Sequence, residues 1–279
     1  MAIVGRIAVL NTGARIPLIG LGTAAVNQNE KDIKVAVTAA LQVGYKHFDT
    51  ARLYGSEHAL GKALNSAFQN RLVSREDVFV TTKLKNTEHD DPVAAIKDSL
   101  MNLQQEYVDL FLIHWPIKLR TEIPLTPIKE EDFLPLDIRS TWQGMEQCME
   151  MGLTKAIGVS NFSSKKVEDL MKYAKIPPAV DQVEMHPHWQ QKKLRDYCNK
   201  HNIHVMLRWG LEQGVSVLPK SYNAGRISEN FQVFDWSLTP DDHDKISKLE
   251  QRKIQQGEQF VNSTTSPYKT VEELWDGEI

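Results

Sequence analysis

Leu110-Phe111-Leu112-Ile113-His114-Trp115-Pro116 is the stretch on which the fold turns. Four apolar residues in succession, without polar alternation, read as a strand buried on both faces, as parallel strands under helices are. The run stops abruptly at a histidine. Two upstream segments end in the same manner: His47-Phe48-Asp49 on an aspartate and Val80-Thr81-Thr82-Lys83 on a lysine. Working outward, strand patterns fall at residues 19–22, 46–49, 78–83, 108–114, 156–160, 179–184, 203–206 and 215–218, with helix patterns between them at 31–43, 56–68, 93–103, 140–151, 165–173 and 192–201. Alternation repeated this often predicts an α/β fold with a parallel sheet, and eight strands predict its closure into a (β/α)8 TIM barrel. Residues 7–18 precede it as a small hairpin, turning at Asn11-Thr12-Gly13.

Composition narrows the function classes. The chain has 279 residues, 41% hydrophobic and 25% charged, with a net charge of -3. That balance offers nothing to draw in nucleic acid or an anionic membrane. No apolar run approaches the ~18 residues of a membrane span, and the first fifteen residues hold too short an apolar stretch for a signal peptide. A cytoplasmic protein is expected. Cys148 and Cys198 sit in amphipathic helix patterns and read as reduced, half-buried thiols. Without a linker or low-complexity stretch, residues 1–279 are expected to form a single domain. The longest irregular segment, residues 117–137, follows the fourth strand and lies on the face where barrels carry their binding loops.

Asp49, Lys83 and His114 each end an otherwise apolar strand, and Tyr54 follows Asp49 by five positions. Taken singly, each has a plain reading as a buried ion pair or a loop cap. Together on neighbouring strands they suggest carbonyl reduction. A free phenol has a pKa of ~10, and a cation beside it is expected to lower that value. Lys83, held charged by Asp49, would be that cation. Tyr54 would protonate a developing alkoxide while His114 donates a hydrogen bond to the same oxygen. His186-Pro187 lacks companion ligands and reads as structural, so no metal is expected. His89-Asp90-Asp91 reads as a loop leading into a helix N-cap.

Several segments bear a family resemblance. Phe48-Asp49-Thr50-Ala51-x-x-Tyr54-Gly55-Ser56-Glu57, Leu112-Ile113-His114-Trp115-Pro116, Ile157-Gly158-Val159-Ser160-Asn161-Phe162, Gln182-Val183-Glu184-x-His186-Pro187 and Leu218-Pro219-Lys220-Ser221 resemble aldo-keto reductase signatures. The likeness runs from the hairpin to Pro267–Trp275 and is nearest to the plant branch of chalcone, codeinone and methylecgonone reductases. The resemblance implies an NADPH-dependent oxidoreductase that turns an aldehyde or ketone into an alcohol, acting as a monomer on a small-molecule carbonyl substrate. Asp49, Tyr54, Lys83 and His114 would be its catalytic tetrad, with Trp115 in the substrate pocket. It counts Gly22, Thr23 and Asp49 among the cofactor-binding residues and assigns the nicotinamide carboxamide to Ser160, Asn161 and Gln182. The 2′-phosphate falls to Lys220, Ser221 and Arg226, and adenine to Glu229 and Asn230. Two cations and a hydroxyl around a phosphate suit the group that separates NADPH from NADH. Lys85-Asn86 departs from relatives that carry an aromatic residue there.

One interval breaks the alternation. Only eight residues, 207–214, separate the last two strand patterns. A crossover between parallel strands needs roughly 10–12. By resemblance, most of the seventh βα unit, on the order of 30–45 residues, is missing between Val205 and Leu207, leaving the domain incomplete around residues 203–214. The lost stretch would carry the aromatic ring that stacks on the nicotinamide. The sequence therefore supports a second expectation: a catalytically impaired or silent truncated paralogue or splice form that acts as a binding or regulatory protein. A metal-dependent barrel hydrolase is a third, weakened by the lack of a ligand cluster.

Overall fold

The computed structural model describes residues 3–4, 6–24, 29–121, 128–200, 209–234 and 236–279. The strands are β1 (Ile3–Val4), β2 (Ile7–Val9), β3 (Arg15–Pro17), β4 (Gly20–Gly22), β5 (His47–Asp49), β6 (Phe79–Leu84), β7 (Leu110–Ile113), β8 (Lys118–Leu119), β9 (Phe133–Leu134), β10 (Ile157–Ser160) and β11 (Asp181–Gln182). The helices are α1 (Glu30–Val43), α2 (Glu57–Gln69), α3 (Pro92–Leu103), α4 (Ile138–Glu150), α5 (Ser164–Met171), α6 (Lys192–Lys200), α7 (Trp209–Glu212), α8 (Ala224–Phe231), α9 (Pro240–Ser247) and α10 (Val271–Leu274).

Six strands form one parallel sheet in the order β11-β10-β7-β6-β5-β4. Beyond β4, Val217 bridges Ile19 in parallel, with Gly20 N–H donating to the Val217 carbonyl at 2.8 Å. The curled sheet thus runs from residues 181–182 round to 216–217, the strand path of an α/β barrel. The expected strand at 203–206 lies outside the described residues. So does the junction between Val205 and Leu207. The last expected strand, 215–218, is reduced to bridges at residues 216 and 217.

Side-chain alternation sorts the sheet into two faces. Phe48, Val80, Phe111, Ile113, Ile157 and Val159 point outward into the main core beneath the helices. Phe79, Leu110, Leu112 and Val180 point inward and meet Ala8, Leu10, Ile16 and Leu18 from the hairpin, which seals the end where the strands begin. The turn at Gly13 has φ +85° and is closed by Leu10 N–H to the Ala14 carbonyl at 2.8 Å.

The six expected helices form within a few residues of their predicted limits, four of them with caps written locally. Asn29, Asp91, Asp137 and Ser163 each accept a backbone N–H of the first turn, and Pro92 stands where a missing N–H costs nothing. α1 packs on α2, α2 on α3 and α3 on α4, while α8 covers α1 from the other side. Gly61 lets α2 approach the end of α3: a Cβ there would lie 2.2 Å from the Leu103 carbonyl oxygen. Alanine favours a helix interior by about 1 kcal/mol over glycine. A main-chain clash outweighs that. Gly61→Ala should destabilise the protein by about 1–3 kcal/mol, and an unchanged or raised thermal midpoint would show that the α2–α3 contact is looser than described.

Candidate active site

The parallel register of β5 and β6 pairs Asp49 with Thr81, so Lys83, two residues further along, shares its inward face. The Lys83 ammonium donates to Asp49 Oδ1 and Oδ2 at 2.8 and 2.7 Å and to the Thr50 carbonyl at 2.9 Å. With Lys83 1% and Asp49 4% exposed, the pair is shut away from water. Gln182 at the end of β11 donates to the same carboxylate at 2.9 Å. Tyr54 lies in a short 3-10 turn after β5, its ring 4.9 Å from the Lys83 Nζ and 5.5 Å from the His114 ring, nearly perpendicular to the latter. The four expected tetrad residues therefore stand together.

Their electrostatics correct one expectation. Burial pushes the Tyr54 phenol up, and the pull of Lys83 in the opposite direction does not overcome it. The resting phenol is held protonated rather than eased toward phenolate. Burial would also drive Lys83 down, but Asp49 and Tyr54 reverse this and raise it above an ordinary lysine. His114 is lowered to about 3, first by burial and then by the Lys83 charge, so it is a neutral imidazole.

Around this centre the β-strand ends supply polar groups. The Asn161 side chain, on a backbone with φ +60°, donates to the His114 carbonyl at 2.9 Å and to Ser160 Oγ at 3.1 Å. Ser160 Oγ donates to the Gln182 carbonyl at 2.7 Å. Thr23 Oγ1 donates to the Asp49 carbonyl at 2.9 Å, and Gly22 lies beside the Leu218 carbonyl. A second cluster forms a cavity of about 600 Å³ lined by Lys220, Ser221, Arg226, Glu229 and Asn230 together with Tyr222 and Asn223. It opens at the start of α8, where Asn223 caps the helix. The two clusters are joined by the Tyr222 hydroxyl, which donates to the Thr23 carbonyl at 2.9 Å. Sequence reasoning missed Tyr222, and also Thr50, whose carbonyl holds Lys83; main-chain groups leave no signature in composition.

Trp115 packs against Phe260 and Trp275 at ring distances of 4.7 and 6.0 Å. Ile117, Leu119 and Phe133 of the loop after β7 complete this aromatic wall. Asn86 donates to the Ile117 carbonyl at 2.9 Å and so ties that loop down. His186 pairs with Glu184 at 2.9 Å. Among the described residues, no three His, Cys, Asp or Glu are grouped to hold a metal, and no helix is long and apolar enough to cross a membrane. Both cysteines are free and buried.

The aldo/keto reductase family model matches residues 18–207. The chain belongs to the aldo/keto reductase family. It is by that membership an oxidoreductase acting on carbonyl compounds, and reductases of the family generally use NAD(P)H. Aldo-keto reductase family 4 member C11 of Arabidopsis thaliana is 44% identical, covering 97% of each chain. Deoxymugineic acid synthase 1 of Zea mays is 42% identical over 95% of this chain and 97% of its own. The NAD(P)H-dependent 6'-deoxychalcone synthase of Glycine max is 42% identical over 95% and 94%. Among solved structures, the aldose reductase from Schistosoma japonicum superposes with a TM-score of 0.87 at 30% identity, covering 94% of this chain and 98% of that one. The alignment with the Arabidopsis relative spans 310 positions against a chain of 279 residues, so at least 31 of them carry no residue here.

Two measurements check the electrostatics. Lys83→Met leaves a buried carboxylate without its cation and should cost about 3–5 kcal/mol, much of it recovered when Asp49→Asn is added. Additive losses in that pair would mean the two groups do not depend on each other. His47, His89 and His114 are lowered to about 3, 4 and 3, all first by burial. The unfolded chain takes up protons near ~6.5 that the folded chain refuses until much lower pH. Stability should therefore fall as pH drops from about 6.5 toward about 3, and the thermal midpoint should be lower at pH 5 than at pH 7. Nuclear magnetic resonance that found His114 titrating near neutrality would remove the basis for this.

Proposed function

We propose that this chain is an NADPH-dependent reductase of an aldehyde or ketone, working as a cytosolic monomer, with Tyr54 as the general acid. The observation that carries the proposal is the closeness of the Tyr54 ring to both the Lys83 ammonium and the neutral His114 imidazole. Bound NADPH would supply a hydride to the carbonyl carbon. The carbonyl oxygen would sit where the Tyr54 hydroxyl and a His114 N–H both reach it. As charge develops on that oxygen, Tyr54 gives up its proton, and the alcohol forms. The phenolate left behind is stabilised by Lys83, whose own charge Asp49 secures, and it regains a proton from water. A phenol held protonated by burial suits a donor. Its release of the proton becomes favourable only when the acceptor is more basic than a carbonyl.

The residues present fit the cofactor. Lys220, Arg226 and Ser221 gather two cations and a hydroxyl at one cavity, the donor set of a phosphate monoester. Glu229 and Asn230 line the same cavity with acceptor and donor groups suited to adenine. At the other end, Ser160, Asn161 and Gln182 offer hydroxyl and amide groups to a carboxamide. Trp115 with Phe260 and Trp275 would form the wall facing an apolar carbonyl substrate.

The shortfall in length supports a second reading. The at least 31 of 310 aligned positions that are empty against the Arabidopsis relative are about as many as one βα unit holds. If the loss falls between Val205 and Leu207, the nicotinamide lacks its stacking ring, and small errors of position cost large factors in rate. The chain would then bind without turning over.

NADPH titration followed by tryptophan fluorescence separates the two readings from a failed one. Saturable binding that is tighter than for NADH, and weakened at least tenfold by Lys220→Ala with Arg226→Ala, is expected. Tyr54→Phe should retain that affinity while kcat/KM for a carbonyl substrate falls by roughly 10²–10⁴. Binding without turnover would favour the silent form. A folded sample that ignores NADPH would end both readings.

A further inference from the structure

The segment after Phe260 is fastened to the start of α5 by a cluster of charged and polar groups. The Lys166 ammonium, on the first turn of α5, donates to the Asp276 carboxylate at 2.6 Å and to the Leu274 carbonyl at 2.7 Å, and lies 4.6 Å from the centre of the Tyr268 ring. The Ser163 hydroxyl, which caps α5, donates to the same Asp276 carboxylate. Glu278 accepts the backbone N–H of Ser164 at 2.9 Å and pairs with Lys193 at 2.9 Å. These groups are only partly open to water: the Lys166 and Asp276 side chains are 12% and 15% exposed. An ion pair so enclosed, with added hydrogen bonds at both ends, holds better than the usual surface pair.

What this fastening joins is the point. Asp276 directly follows Trp275, which packs edge-on against Trp115. Trp115 directly follows His114, whose carbonyl accepts the Asn161 side chain. Asn161 lies two residues before Ser163. The contacts therefore close a ring: His114, Asn161, Ser163, Asp276, Trp275, Trp115 and back to His114. Every link is a hydrogen bond, a packed ring or no more than two steps along the chain. Tyr268 adds a brace, its hydroxyl donating to the Pro116 carbonyl at 3.4 Å.

We infer that Lys166 and Asp276 form a latch, two positioning residues that tie the aromatic wall of the carbonyl pocket to the Ser160–Asn161 segment. The inference rests on the reading above in which that segment holds the nicotinamide carboxamide. A ligand that orders Asn161 tightens the ring, and the tightened ring fixes Trp275 behind Trp115. Cofactor binding and the shape of the substrate wall are thereby linked through α5, although neither latch residue touches cofactor or substrate.

Hydrogen exchange by mass spectrometry on the full chain tests this, with peptides covering residues 158–166 and 268–278. Without cofactor, Asp276→Asn should speed exchange at least threefold in both stretches. Lys166→Met should do the same, and Lys166→Arg, which keeps the cation, should stay near the wild type. Faster exchange confined to 268–278 would overturn the latch, since the segment would then be anchored without reaching the amide site. Saturating NADPH should slow exchange of 268–278 at least threefold in the wild type and have little effect on that stretch in Asp276→Asn. Equal responses in the two proteins would also overturn it. Should NADPH fail to bind the wild type, the cofactor reading falls, and the latch is decided by the cofactor-free comparison alone.

Discussion

Everything in the candidate site depends on a lysine ammonium buried beside an aspartate. Taking either charge out of water alone costs several kcal/mol. The pair survives because all three Lys83 N–H donors find acceptors, two on Asp49 and one on the Thr50 carbonyl. That satisfaction demands the register pairing Asp49 with Thr81. A slip of one residue would turn Lys83 toward the helices, leaving an unpaired ammonium in the outer core and an unpaired carboxylate inside. The register of two strands and the chemistry of the site are one constraint. Gln182 extends it to the sixth strand by donating to the same carboxylate.

The parts legible in the sequence are those governed by local pattern. Apolar runs such as Leu110–Ile113 announce parallel strands, and the charged or polar residue ending each run marks the inward position nearest the mouth. The start of α3 was readable at His89-Asp90-Asp91 because cap and first turn are neighbours in the chain. Asp49, Tyr54, Lys83 and His114 could be grouped because each ends or follows a strand. What escaped is non-local or quantitative. Nothing near Tyr54 in sequence says that burial outweighs a cation lying 4.9 Å from its ring. Tyr222 reaches back 199 positions to Thr23, and no periodicity records that. α8 and α9, at Ala224–Phe231 and Pro240–Ser247, were not among the helix patterns read from the sequence.

The site is also stitched across the chain's length. Thr23, Asp49, Asn161, Gln182 and Tyr222 come from five loops or strand ends, yet each holds a hydrogen bond to another part of the same mouth. Side chains expected to meet a ligand are, in the described state, already bonded to one another: Ser160 to the Gln182 carbonyl, Asn161 to the His114 carbonyl. Such partial self-satisfaction keeps polar groups from being stranded in a buried setting. It also sets a ceiling on affinity, because any incoming ligand must share or displace bonds that exist without it.

The hairpin has a consequence for traffic. Ala8, Leu10, Ile16 and Leu18 plug the end where the strands begin, against Leu110, Leu112 and Val180. Nothing polar enters the sheet past these packed side chains, and the polar groups that could meet a ligand stand at the opposite ends of the strands.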